Sequence, residues 1–449
     1  MSQTQEISLG AQSDQSILAQ YGEYEDDALR EFVSTMGQSM VPVSHRSQLE
    51  FHFRLLDDSV VNAFALPGGY VYITRGILAY LNDDAALAGV IGHEIGHVAA
   101  RHGVQRYTQQ MLMGAGLIVG SILSPEIARH GNLVGAGAQL ALLKYGRDDE
   151  RQSDQLGVEY ATRIGYDTRS MAAFFGTLDR LSGGEEGRLP EWQSTHPDPG
   201  ARFETVNRLT DEWQAKLGTP PYKSDRDGYL ARIDGLVFGD DPRKGYVEQG
   251  KFLHPDMKFQ FPIPGGWKLA NSAAQVVVAH PDGNAGVIFM LESAKSVEAA
   301  ADEQAAQEGV REFSREAYTL GGNEALRMES ETSDGHVVNS TFVAYDGRVF
   351  GFHGIAPSSA YAGLKRMLEL PADGFRPLTD PAALSIQPIV VKIVTVAKAS
   401  SFVEFARDYP IPAGANLTVD GLALLNGIQT GSWLETGSKL KMLVRRGAA

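Results

Sequence analysis

The sequence predicts an α+β protein: a mainly helical N-terminal region around a small sheet, then an α+β unit, then a small C-terminal unit of strand, helix, helix and strand. Three observations carry that expectation. A proline-free stretch from 85 to about 113 spaces its apolar residues as a helix does. A β-branched, aromatic run bounded by glycines stands just before it. The composition shifts at Asp240-Asp241-Pro242-Arg243-Lys244-Gly245, which reads as a linker, and the segments beyond it alternate like strands. A chain of 449 residues can hold two or three cores, and the expected units are 1–245, 250–375 and 385–449.

The first predicted strand is Tyr70-Val71-Tyr72-Ile73-Thr74, led into by Asn62-Ala63-Phe64-Ala65-Leu66-Pro67-Gly68-Gly69. An open edge there would let an extended peptide add as a further strand, with backbone hydrogen bonds giving affinity without much sequence selectivity. Asn82, Asp83 and Asp84 supply caps and early negative charge for the helix that follows, and Leu87, Val90, Ile91, Ile95 and Val98 form its apolar face. From 111 to 143 the chain is apolar and glycine-rich, split by Pro125 and Glu126. Its small residues favour two helices packed closely in a core; the other reading is a flap over a cleft, touching membrane. No stretch reaches the roughly 18 to 20 apolar residues that span a bilayer.

Past the linker, Met257-Lys258-Phe259-Gln260-Phe261, 276–279 and 287–291 read as strands, and the alanine- and glutamate-rich 297–313 as a helix. Residues 337–345 and 348–355 pair around Asp346-Gly347 as a hairpin, and a short helix covers 358–370. Strand 390–396, helices 401–407 and 421–425, and strand 439–443 close the chain. His254, His280, His336 and His353 are scattered and read as ordinary core or surface histidines.

An apolar content of 43% with 21% charged residues belongs to a globular chain. The net charge of −15 argues against nucleic acid, whose phosphates need a basic surface, and more weakly against docking on anionic lipid. Without cysteine there is no disulfide, no thiolate metal site and no cysteine nucleophile.

The chemistry concentrates at His93-Glu94-Ile95-Gly96-His97. Histidines four apart lie one turn apart on one helix face, so both rings reach one metal ion, and Glu94 can take a proton from a zinc-bound water. A structural zinc site needs four protein ligands, usually including cysteine, whereas a catalytic site needs three and a water. The best candidate for the third is Glu150, in Arg147-Asp148-Asp149-Glu150-Arg151-Gln152-Ser153-Asp154. Asp154, one turn further on, could accept a hydrogen bond from a ligand histidine and fix its tautomer. The competing reading of this run is a solvated helix face.

HExxH followed by ExxxD, after NAFALPGG and a strand, resembles the gluzincin endopeptidases of the BepA, LoiP and HtpX group, with the CAAX prenyl endopeptidase a more distant relative. The resemblance covers roughly residues 5 to 245. It implies a zinc metalloendopeptidase with one Zn2+ per chain, His93, His97 and Glu150 as ligands, Glu94 as general base, and Asp154 behind the ligands. The alanine usual before that aspartate is Ser153 here. Ser194-Thr195-His196-Pro197 and the later Arg202 are similar to the group's THP segment and arginine. By that resemblance His196 would stabilise the oxyanion or bind zinc as a removable fourth ligand that keeps the enzyme latent. Arg202 would help hold the transition state or the third-ligand helix. Taken alone, Pro197 and Pro199 make a rigid turn with an exposed histidine. Leu424-Leu425-Asn426-Gly427 and Thr436-Gly437-Ser438-Lys439-Leu440-Lys441 resemble a LysM module, a binder of peptidoglycan or chitin, although Lys398-Ala399-Ser400-Ser401 replaces its usual Gly-Asp-Thr.

The resemblance implies misfolded or unassembled envelope proteins as substrates and the periplasm as compartment. The cytoplasm is the alternative, since Met-Ser-Gln-Thr-Gln-Glu has neither a basic nor an apolar signal region. Peptidoglycan, through the C-terminal unit, and peripheral membrane contact are the further partners expected. The rival function is a non-catalytic chaperone or cell-wall-binding scaffold whose site His196 silences; the retained Glu94, which a scaffold does not need, favours the enzyme. A zinc enzyme acting on something other than a peptide is the second rival, opposed by the predicted edge strand.

Overall fold

The computed structural model describes residues 1–112, 144–182, 192, 195–197, 199–218 and 221–447. The apolar, glycine-rich stretch from 113 to 143 lies outside the described residues. The N-terminal region opens with helices α1 (Gln3–Tyr21) and α2 (Asp27–Met40). Strands β1 (His52–Leu56), β2 (Ala63–Leu66) and β3 (Tyr70–Thr74) form a sheet in the order β1-β3-β2. Then come α3 (Arg75–Tyr80), α4 (Asp84–Ala100), α5 (His102–Leu112), α6 (Arg147–Arg163), α7 (Arg169–Ser182), α8 (Pro199–Leu217) and α9 (Arg226–Ile233).

Two expectations need correction here. The strand before the HExxH helix is β3, and it is central, paired parallel to β1 and antiparallel to β2. The edges belong to β1 and β2, because the glycines at 68 and 69, both at positive φ, turn the chain back and send β3 between its neighbours. The single helix expected from 85 to about 113 is two helices. Arg101 adopts the left-handed conformation (φ 61°) and ends α4, its N–H returning to the carbonyls of His97 and Val98. A non-glycine residue there needs support. Its guanidinium Nε reaches Glu6 at 3.1 Å, a buried α1 carboxylate that also pairs with Arg46 at 2.6 Å.

The central region carries β4 (Tyr246–Glu248), β5 (Lys251–His254), β6 (Phe259–Pro262), β7 (Lys268–Asn271), β8 (Gln275–Ala279) and β9 (Gly286–Leu291). Helix α10 (Val297–Ala305) precedes β10 (Val310–Leu320), β11 (Asn323–Thr332), β12 (His336–Tyr345), β13 (Arg348–Pro357) and α11 (Ser358–Asp373). Seven strands form an antiparallel sheet in the order β10-β11-β12-β13-β9-β8-β7. The helix expected over 297–313 stops at Ala305. Gly309, at φ 82°, ends the connection, and 310–320 pairs along β11 as an edge strand instead. Local alanine and glutamate content favoured helix there; the cross-strand partner overrides it. Phe252, Phe259, Phe261, Phe289, Phe350 and Phe352 fill the core of this region.

The C-terminal region is β15 (Ile389–Thr395) paired antiparallel with β18 (Lys439–Arg445), following β14 (Arg376–Pro377) and the short α12 (Pro381–Leu384). Between the two strands lie β16 (Ser400–Ser401), α13 (Phe402–Ala406), α14 (Val419–Leu425) and β17 (Trp433–Leu434), which pairs antiparallel with β16. Its Val391, Phe402, Leu425 and Met442 belong to the same hydrophobic cluster as Ile77, Val90 and Ile91 of the N-terminal region. Lys441 crosses this contact fully buried, and its Nζ donates to the carbonyls of Ala79 at 2.7 Å and Leu81 at 2.8 Å. Asn426 holds the Lys441 backbone from both sides, accepting from its N–H at 2.7 Å and donating to its carbonyl at 2.9 Å. Among the described residues no helix is long and apolar enough to cross a membrane.

Burial, and then Arg226, hold the Lys441 amine well below its ordinary range, with Asp83 opposing them. In the unfolded chain it titrates near about 10.4, so between the two values the unfolded state carries the extra proton and stability rises with pH. Raising the pH from about 7 to about 10 is therefore expected to stabilise the wild type relative to Lys441→Met, read as the difference between their urea midpoints. An unchanged difference would show that the amine is not buried.

Candidate metal centre

Helices α4 and α6 approach backbone to backbone because glycines line the contact. A Cβ on Gly92 would meet the Gly157 carbonyl oxygen at 2.8 Å, and one on Gly157 would meet the His93 nitrogen at 2.7 Å. This places Glu150 opposite His93 and His97. The facing atoms are His93 Nε2, His97 Nε2, a Glu150 carboxylate oxygen and a His196 nitrogen, all within 4.8 Å of one another. His93 Nε2 lies 3.0 Å from His97 Nε2 and 3.3 Å from His196 Nδ1, and Glu150 Oε1 lies 3.0 Å from His196 Nδ1. All four residues are buried.

The predicted supporting residues converge on the same point. Asp154 Oδ1 is 3.0 Å from His93 Nδ1, the nitrogen turned away from the cluster. Arg202 of α8 donates to both Asp154 oxygens, at 2.8 and 2.6 Å, and pairs with Glu150 Oε2 at 2.8 Å, while its guanidinium lies over the Phe175 ring. It thus ties the two carboxylates of α6 together beneath the histidines. Glu94 stands beside the cluster, Oε1 3.7 Å from His196 Nε2. His196 is therefore not an exposed loop residue: its ring is buried and stacks on Trp192 with centroids 4.2 Å apart.

Burial and Arg202 push the His93 imidazole down, but hydrogen bonds to Asp154 and Glu150 outweigh them and lift it to about 9. Burial would raise Glu150, yet His196 and Arg202 hold it well below the carboxylate range. Glu94 is raised, by burial first. Burial takes His97 well below its usual value.

Two imidazole nitrogens at 3.0 Å, with a carboxylate and a third imidazole facing them, form a donor set suited to a divalent cation. Both Glu94 oxygens and His196 Nε2 are buried without a hydrogen-bond partner among the described residues. Orphaned polar atoms cost about 1–3 kcal/mol each, and a cation with its ligands would relieve that cost. The residues fit a metal.

Three participants were not visible in the sequence. His102 Nδ1 sits 3.0 Å from His97 Nδ1. It escaped notice because a continuous helix would carry it off the ligand face, and only the break at Arg101 turns it back. Tyr145 stacks on His97 with centroids 3.8 Å apart, and Trp192 covers His196. Tyr145 Oη donates to the Ala65 carbonyl of β2 at 3.5 Å, and the Trp192 backbone N–H to the Val61 carbonyl just before that strand at 3.2 Å. Single aromatic residues outside any motif carry no signal of such a role.

A buried cluster of two HExxH histidines and a glutamate from a second helix defines a metallopeptidase type of site. Residues 28–210 match Peptidase family M48, and this region of the chain is a peptidase family M48 domain. The chain is 28% identical over 227 residues to the "Beta-barrel assembly-enhancing protease" of Yersinia pestis, covering 48% of this chain and 46% of that protein. It is 27% identical over 283 residues to the protein of that name from Escherichia coli (strain K12), covering 58% and 56%. It is also 29% identical over 155 residues to "Mitochondrial metalloendopeptidase OMA1" of Arabidopsis thaliana, covering 34% and 30%. The chain spans about half the length of the first two of these relatives.

Gly157→Ala is expected to force α4 and α6 apart, lowering stability by ~1–3 kcal/mol in denaturant titration and weakening metal retention. Gly363→Ala in α11, where nothing lies within 4 Å of the added carbon, is expected to be neutral or to stabilise by ~0.5–1 kcal/mol. Equal effects from the two would exclude a packing role for Gly157.

Proposed function

We propose that this protein is a zinc-dependent endopeptidase that hydrolyses misfolded or unassembled polypeptides of the cell envelope, from the periplasmic side. The observation that carries the reading is the buried set His93, His97 and Glu150 with Glu94 beside it, its carboxylate oxygens unpaired among the described residues. His93 and His97 would hold the ion through Nε2, and Glu150 through its carboxylate. When bound, zinc supplies Lewis acidity, acidifying water and polarising a peptide carbonyl. Glu94 takes the proton of the attacking water on its carboxylate and hands it to the leaving nitrogen. Burial supports this role, because a raised carboxylate is a stronger base. Arg202 keeps Glu150 and Asp154 ionised and in place, and Asp154 orients His93.

An extended polypeptide would lie along β2, an edge of the small sheet. The carbonyl of Ala65 on that strand and that of Val61 just before it now accept from Tyr145 and Trp192, so a substrate would displace these contacts. His196 is the fourth donor of the cluster, and we read it as the group that keeps the site closed. The name of the bacterial relatives, which mentions β-barrel assembly, agrees with envelope polypeptides as clients. The C-terminal unit we read as LysM-like; its exposed Trp433 offers a face on which a glycan ring could stack.

A second reading, a scaffold with a silenced site, draws on the complete burial of the cluster. β-Casein cleavage decides between the two. The zinc-loaded wild type is expected to cut, and Glu94→Gln to lose about 10²–10⁴ of the rate while keeping its metal. His196→Ala is expected to cut faster than wild type, and Glu150→Ala to lose metal. A chelator is expected to lower the melting midpoint and zinc to restore it. Bound zinc without cleavage by any variant would favour the scaffold; normal cleavage by Glu94→Gln would sink the enzyme assignment.

A further inference from the structure

The two HExxH histidines turn their outer nitrogens to different partners. Behind His93 stands a carboxylate, Asp154. Behind His97 stands another imidazole, with His97 Nδ1 and His102 Nδ1 3.0 Å apart. Two ring nitrogens at that distance share one proton between them, and which ring owns it decides what His97 can do.

His97 faces the cluster through Nε2, 3.4 Å from Glu150 Oε1. A neutral imidazole that offers the Nε2 lone pair to a cation carries its proton on Nδ1. That proton points at His102 Nδ1, which must then be an acceptor. His102 consequently carries its own proton on Nε2, and Gln152 Oε1 lies 3.1 Å away to receive it. The opposite arrangement puts the proton on His102 Nδ1 and leaves an N–H on His97 Nε2, aimed into the cluster, where it blocks coordination.

We infer that His102 is a positioning residue which, together with Gln152, locks His97 into the tautomer able to bind a metal. The inference rests on reading the cluster as a metal site. Its neighbours allow it. Ser153 Oγ lies 3.3 Å from the same His102 Nδ1, and a hydroxyl that can donate or accept fits either tautomer. Asp149, the carboxylate near His102 Nε2 at 3.8 Å, is engaged by the Arg106 guanidinium and the Gly146 N–H. The carboxylates Glu94, Glu150 and Asp154 already face Arg202 as their cationic partner, and an imidazole fixes the tautomer without adding a fourth negative charge.

The test combines nitrogen-15 spectra of the histidine rings in the full-length, metal-free protein with zinc retention against a chelator. In the wild type His97 is expected to carry its proton on Nδ1 and His102 on Nε2. His102→Leu, which offers no acceptor, is expected to weaken zinc retention about 10- to 100-fold. His102→Gln, whose amide oxygen can accept, should recover most of that loss. Gln152 is exposed, so its variants should leave the fold intact. Gln152→Lys faces His102 Nε2 with donors only and is expected to move the His97 proton to Nε2; Gln152→Glu should leave it on Nδ1. Charge alone changes affinity but does not exchange a proton between ring nitrogens, so the spectra separate the two effects. A wild-type His97 protonated on Nε2, or unchanged zinc retention in folded His102→Leu, would overturn the inference. A wild type that binds no zinc would instead overturn the metal reading, while the ring spectra still decide the tautomer.

Discussion

The contact between α4 and α6 at Gly92 and Gly157 is the constraint on which the metal cluster depends. Two helices carrying side chains at that point would stand 8–10 Å apart, and Glu150 would fall short of the histidines. With hydrogen in place of Cβ, the Gly157 position approaches the His93 backbone itself. Gly96 extends the same seam, facing the Ser153 backbone. The helices meet as rigid bodies, so the spacing between His93, His97 and Glu150 is set by backbone contact rather than by flexible side chains. That rigidity is the preorganisation a metal site requires.

Once the helices are that close, charge becomes the second problem. Glu150 and Asp154 are taken fully out of water one turn apart on α6. Two carboxylates cannot stay ionised in such a place unless paired. Arg202 does this for both, and its flat guanidinium fits the gap while resting on Phe175. The same ion cluster orients His93 through Asp154, so the third helix, α8, takes part in the site through Arg202, which pairs with Glu150 and reaches His93. His97 is held differently, through neutral rings, and that limits the negative charge gathered around one cation.

Distant parts of the chain bear on the same helix. The turn before α4 receives Lys441 from β18 on the Ala79 and Leu81 carbonyls, and Arg226 of α9 on the carbonyl and side chain of Asn82. The far end of α4 is tied by Arg101 and Arg46 to Glu6 of α1. A helix buried along most of its length is thus anchored at both ends by charged groups whose partners are hundreds or tens of residues away. The aromatic cover of Tyr145 and Trp192 completes the enclosure, and because Tyr145 bonds to β2 and Trp192 to the residue leading into it, closure of the site and occupation of the sheet edge go together.

The hydrogen-bond-independent features were legible in the sequence: HExxH and ExxxD are helical spacings, and a spacing of four places side chains on one face in any helix. The strands around Tyr70-Val71-Tyr72-Ile73-Thr74 and the Asp346-Gly347 hairpin were legible for the same reason, since alternation and turn chemistry are local. What only the tertiary structure decided is what depends on a partner. Pairing made β3 central, turned 310–320 into a strand, and brought His102 back to His97 after the left-handed break at Arg101. It also buried Lys441, whose position in a short strand says nothing of the two carbonyls it meets. Local periodicity determined which residues could act. Long-range packing determined which of them share a proton, a charge or an edge, because those energies exist only between groups brought together by the fold.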